Sequence, residues 1–125
     1  MTAFANYRED IVEELKDRFS EYPEVTPGKM FGHPGFKIMG RFFCFAYEDG
    51  VCVKLPPADY EAALELDEAE KFSPNDRPMG FWVVFTYPET EDYFNNWIWF
   101  EKAMAYIVTD EAAPPKKKKK QRKTD

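Results

Sequence analysis

Residues 41–55 read RFFCFAYEDGVCVKL: an apolar run, then Asp49-Gly50, then a second run rich in β-branched residues. Two such runs around an Asp-Gly dipeptide predict a β-hairpin closed by a two-residue turn, where glycine tolerates positive φ. With Asp49-Gly50 as the turn, Cys44 faces Leu55, Ala46 faces Val53, Phe45 faces Lys54 and Tyr47 faces Cys52. The alternation sends Cys44 and Cys52 to opposite faces of the sheet, so both are read as unpaired buried thiols.

Upstream, Phe4, Tyr7, Ile11, Leu15 and Phe19 recur at helical spacing, and the pattern predicts an amphipathic helix over 3–21 that Pro23 and Pro27 end. Glycines and Pro34 punctuate the stretch from 28 to 40, leaving extended pieces at 29–31 and 36–39 and a tight turn at Gly40. Downstream, Pro56-Pro57 stops the hairpin, and 58–66 reads as a short helix through Tyr60, Ala63 and Leu64. A loop holding Phe72 and a turn at 73–76 lead to FWVVFT at 81–86, apolar on both sides and therefore an interior strand. Tyr93, Trp97, Phe100, Met104 and Ile107 give the stripe of a last helix over 91–108. The expected fold is α+β in two layers, an antiparallel sheet with helices on one face, ordered α, three or four strands, α, one or two strands, α.

The chain has 125 residues, of which 44% are apolar and 18% aromatic, enough for one core and no second domain. No apolar run reaches the ~18 residues of a membrane span, and MTAFANYRED lacks a signal peptide's basic and apolar segments. The expectation is a cytoplasmic protein with no membrane partner. Net charge is −6, but residues 116–123 (KKKKKQRK) hold seven of the seventeen basic residues, leaving ten against twenty-three acids elsewhere, a net −13. The division expected is a folded domain at 1–109 and a disordered lysine-rich tail at 110–125. Lys116, Lys117, Lys118, Lys119, Lys120, Arg122 and Lys123 are the candidates for weak, sequence-independent, salt-sensitive contact with nucleic acid, set against a solvated tail without a partner.

Lys29-Met30-Phe31-Gly32, Gly35-Phe36, Gly40-Arg41-Phe42-Phe43, Asp49-Gly50-Val51-Cys52-Val53-Lys54-Leu55 and Arg77-Pro78-Met79, in that order and spacing, resemble the N-terminal domain of the TfoX/Sxy competence regulators and the related YjbR-like proteins. The likeness runs over 5–108. It implies the same two-layer α+β fold and a non-catalytic binding or regulatory module; full-length regulators carry a second domain where this chain carries its lysine tail.

Two cysteines and one histidine do not make a zinc set, and no metal, cofactor or catalytic group is expected. A Cys52–His33 nucleophile and base would need an orienting third group that the sequence does not supply. Lys29, His33 and Arg77 are candidates for the pocket of an alternative, a small-anion-binding protein or enzyme, set against Arg77 tying its loop to a carboxylate and His33 serving a turn. Phe43, Phe45 and Tyr47 alternate along one strand opposite Lys54 and are candidates for a partner surface, for a protein or a second copy, set against burial by a helix or by the N-terminal segment.

Overall fold

The structure, a computed structural model, describes residues 6–112, apart from the side chains of Asn75 and Asp110. Helix α1 (Glu9–Phe19) precedes strands β1 (Val25–Met30), β2 (His33–Ile38), β3 (Arg41–Tyr47) and β4 (Gly50–Lys54). Helix α2 (Pro57–Ala63), strand β5 (Ala69–Lys71), a 3₁₀ turn (Pro74–Asp76) and strand β6 (Trp82–Phe85) come next, then helices α3 (Thr90–Asn95) and α4 (Ile98–Ile107) and a 3₁₀ turn (Asp110–Ala112). The strands form one six-stranded sheet in the order β1-β2-β3-β4-β6-β5, every neighbouring pair antiparallel. Strand β6 is interior as expected, inserted between β4 and the short edge strand β5. The α+β class and its layering are therefore as read from the sequence. No helix among the described residues is long and apolar enough to cross a membrane.

The helices cover one face. Phe19 of α1 is the hub of that layer, with ring centroids 4.7 Å from Phe36, 5.5 Å from Phe43 and 5.2 Å from Trp97. Such tilted and edge-on pairs add to what simple burial contributes. The last stripe is buried as expected, but on two helices. Asn96 leaves helical geometry at φ −116°, ψ 35°, and its amide donates to the Asp92 carbonyl at 2.8 Å, the local side-chain bond by which Asn competes with a continuous helix. The first helix starts at Glu9, because the backbone before it is engaged elsewhere: Asn6 N–H donates to His33 Nε2, Glu48 N–H donates to Asn6 C=O, and Tyr7 bridges Glu48. Phe4 lies outside the described residues.

The hairpin forms with a different register. Cys44 pairs with Val53, Phe45 with Cys52, Ala46 with Val51 and Tyr47 with Gly50, so the turn is Glu48-Asp49 and Glu48 takes the positive φ of 51°. Gly50 is a strand residue; a Cβ there would collide with the Phe85 carbonyl oxygen of β6. Sliding by two residues keeps the faces, so Cys44 joins the helix-covered core and Cys52 the cluster on the opposite face. The register shifts again between β2 and β3, where Lys37 pairs with Phe42 and Phe36 with Cys44, leaving Phe43 as an extra residue. This β-bulge turns Phe43 into the helix-side core beside Cys44 and gives Phe42 the outer face that alternation assigned to Phe43.

Ala112 is buried in the helix-side core, so the packed part of the chain runs past the expected boundary at 109 to at least Ala112. The expected disordered tail otherwise falls outside the described residues.

Tyr87, Tyr93, Tyr106 and Tyr47 all have their phenol pKa pushed up, in each case mainly by burial. Tyr93 is tied into the fold on both sides: its Oη donates to the Phe85 carbonyl at 3.3 Å and accepts from Tyr87 N–H at 3.1 Å. A raised folded-state pKa contributes stability that is complete below the unfolded tyrosine value of about 10 and is lost as pH climbs through the folded value. Alkaline titration should therefore show phenolate absorbance arriving together with loss of circular dichroism above about pH 10. Free titration of all tyrosines with the fold intact would contradict this.

Candidate functional site

The sheet face away from the helices is covered by the protein's own loop between β5 and β6. Phe72 and Met79 fold over Phe45, Cys52, Trp82 and Val84, fixed by Phe72 N–H donating to the Trp82 carbonyl (3.0 Å) and Met79 N–H to the Phe72 carbonyl (2.9 Å). Among the described residues it is this loop, rather than a helix, that does the covering, and Phe45 is fully buried. Of the expected partner surface, Phe43 is buried on the other face and Phe45 lies under the loop, which leaves Tyr47 and Lys54 half-buried.

The covering is incomplete at one end, where a cleft of about 490 Å³ opens. That volume suits a small ligand. Its lining includes Phe42, Trp82, Met30, Met79 and Phe81, together with Ile107 at the end of α4 and Glu111 and Ala112 of the 3₁₀ turn that follows. Phe42 lies flat because of a glycine pair. Gly28 and Gly35 face each other across β1 and β2, and a Cβ on either would meet the Phe42 ring, at 2.9 Å and 3.1 Å.

Two cations enter this apolar cleft. Lys54 ends β4 opposite Trp82, with Nζ 6.0 Å from that indole's centroid; burial, and then the charge of Arg41, push its pKa down. Arg41 starts β3 and uses one nitrogen, Nη1, to cap α4 by donating to the carbonyls of Ile107 (2.9 Å) and Thr109 (3.2 Å), leaving the rest of the guanidinium for other acceptors. Lys37 stands over the Phe42 ring at 5.5 Å. Among the described residues none of these three cations has a carboxylate within ion-pair distance. Glu111 also lines the cleft, and its charge acts on Tyr106, whose phenol it helps to push up.

No protein-family model, curated protein or solved structure matches the chain.

The expected anion set does not assemble. His33 is buried with both ring nitrogens occupied: Nε2 accepts from Asn6 N–H at 3.3 Å, so Nδ1 carries the proton and donates to the Phe31 carbonyl at 3.0 Å. It pins the N-terminal segment and the β1–β2 turn to the sheet. Lys29 is exposed on the edge strand, its alternation opposite to that of Met30, and Arg77 is exposed after the 3₁₀ turn. None of the three lines the cleft that holds Arg41 and Lys54. Met30 and Met79, from the same two sequence segments, do line the cleft.

Sequence reasoning missed Arg41, Phe42, Phe81 and Trp82 as site residues. Arg41 and Lys54 sit at the open ends of one hairpin, a juxtaposition the hairpin pattern already contained.

Cys44 and Cys52 are free and buried, and burial pushes both thiols up. That is the reverse of an activated nucleophile. A thiol reagent should leave the native protein unlabelled and label two thiols per chain in denaturant; rapid labelling of the native fold would contradict the burial.

Proposed function

We propose that the protein is a non-catalytic binding or regulatory module of the cytoplasm whose ligand is a small anion with an aromatic or apolar body, held in the cleft between Arg41 and Lys54. The observation that carries this reading is a partly buried lysine, desolvated and pressed by a second cation, without a carboxylate partner among the described residues. Leaving Lys54 so placed costs stability, and a bound phosphate or carboxylate would relieve both the desolvation and the like-charge repulsion. The aromatic lining supplies the apolar contact that a bare inorganic ion would not use. The likeness to the competence regulators' N-terminal domain supports the non-catalytic part, as do the two inert thiols and the fully engaged imidazole. Unpaired thiols accord with a reducing compartment.

The test is titration with phenyl phosphate, followed by calorimetry, for the natural chain and for Lys54→Gln. A charge-assisted hydrogen bond is worth about 1.5–3 kcal/mol, so the substitution should weaken binding about tenfold or more. Affinity should also fall as pH rises through the lowered Lys54 pKa, because only the ammonium attracts the anion. Equal affinity of the two proteins, or binding of benzyl alcohol as tight as that of phenyl phosphate, would defeat the reading.

A further inference from the structure

One row of the sheet alternates cations with aromatic rings. Lys37 of β2 pairs with Phe42 of β3; Cys44 pairs with Val53, which puts Lys54 of β4 next to the bulged residues; and Lys54 pairs with Trp82 of β6. All four side chains lie on the face away from the helices: Phe42 and Trp82 belong to the cluster there, Lys37 Nζ stands 5.5 Å from the Phe42 centroid and Lys54 Nζ 6.0 Å from that of Trp82. Gly28 makes the room for the first pair, since a Cβ there would lie 2.9 Å from Phe42 Cζ and 3.3 Å from Lys37 Cε. Among the described residues each ammonium rests on a ring and has no carboxylate within ion-pair distance. A cation–π contact is weaker than a charge-assisted hydrogen bond, so both gain by turning to an anion. The cleft contains Phe42 and Lys54 and ends short of Lys37, one strand further on. Neighbouring strands lie about 4.8 Å apart, so the backbones of the two lysines are about 10 Å apart with Phe42 on the strand between them.

We infer that the cleft's ligand is a two-ended anion, an aromatic or apolar body with one phosphate or carboxylate held between Arg41 and Lys54 and a second, at the opposite end of the body, held by Lys37. The inference rests on the proposed anion site and specifies the ligand which that site takes. Spacing, and not charge alone, is what the row selects. Two phosphates joined directly to each other sit together at the Lys54 end, whereas a phosphate at each end of a ring meets both lysines.

The experiment is calorimetric titration with para-phenylene bisphosphate, which has a phosphate at each end of one ring, with phenyl diphosphate, which has both at one end, and with phenyl phosphate. The proteins are the full natural chain, Lys37→Gln, Lys37→Arg and Lys54→Gln. Lys37 is half-buried and makes no ion pair among the described residues, so its variants should fold, and melting curves check this. The natural chain should bind the bisphosphate about tenfold tighter than phenyl phosphate, with phenyl diphosphate falling short of the bisphosphate. Lys37→Gln should lose that advantage and leave phenyl phosphate unchanged, Lys37→Arg should keep it, and Lys54→Gln should weaken all three ligands. Bisphosphate binding no tighter than that of phenyl phosphate, phenyl diphosphate binding as tightly as the bisphosphate, or Lys37→Gln weakening phenyl phosphate as much as the bisphosphate would each overturn the inference. The anion site itself is judged separately by phenyl phosphate: if that binds through Lys54, the site stands and only its second anchor is lost, and if it does not, both fall.

Discussion

Phe43→Ala is expected to lower the free energy of unfolding by about 3–5 kcal/mol, whereas Phe42→Ala should cost about 1–2 kcal/mol. The two phenylalanines are adjacent and chemically identical, and the bulge alone separates them. Phe43 is wholly buried against Phe19 and the helix layer, so truncation leaves a cavity whose walls are large rings that cannot collapse into it. Phe42 is half-buried over Gly28 and Gly35 at the cleft, where water fills the space it vacates. Denaturant melts of both variants measure the difference. With simple alternation from Phe45, the order would invert, because Phe43 would lie on the outer face and Phe42 in the core.

Gly50→Ala should cost about 3 kcal/mol, although alanine is the smallest possible addition and the site is a strand. The new methyl would point at the backbone carbonyl of Phe85 and at Thr86 Oγ1, 2.8 Å away. The hydroxyl can rotate aside, but the carbonyl belongs to the β4–β6 ladder and moves only with its strand. In the Asp49-Gly50 turn read from the sequence, the same substitution would be costly for a different reason, positive φ, and Asn would then restore stability. Here Gly50→Asn should be at least as damaging as Gly50→Ala, since it adds the same Cβ and more. Equal stability of the Asn variant and the natural chain would return the turn to Asp49-Gly50.

These two experiments mark where the sequence was readable and where it was not. The hairpin, the interior strand, the helix-side stripe and the opposite facing of the cysteines come from periodicity, which survives a two-residue slide. The turn position does not, since Glu48 and Asp49 give no warning that Glu48 will occupy the left-handed region. The bulge was invisible because Phe42-Phe43 reads the same whichever ring turns inward. For the site, Lys54 was legible as a cation on a partly open aromatic face. Its partner Arg41 looked like any strand residue, because its placement depends on the carbonyls at the end of α4, which come together with β3 only in the tertiary fold. For His33 the sequence left two readings, an anion pocket and a turn, and its two hydrogen bonds make it a strut between the N-terminal segment and the β1–β2 turn.

The proposed site is tested most directly by following backbone amide resonances of the full chain as phenyl phosphate is added. Saturable shifts should centre on Arg41, Phe42, Lys54 and the 80–82 segment, and should disappear in Lys54→Gln while the rest of the spectrum is unchanged. Shifts centred instead on Lys29, His33 and Arg77, or no saturable shifts at all, would contradict an anion site between Arg41 and Lys54.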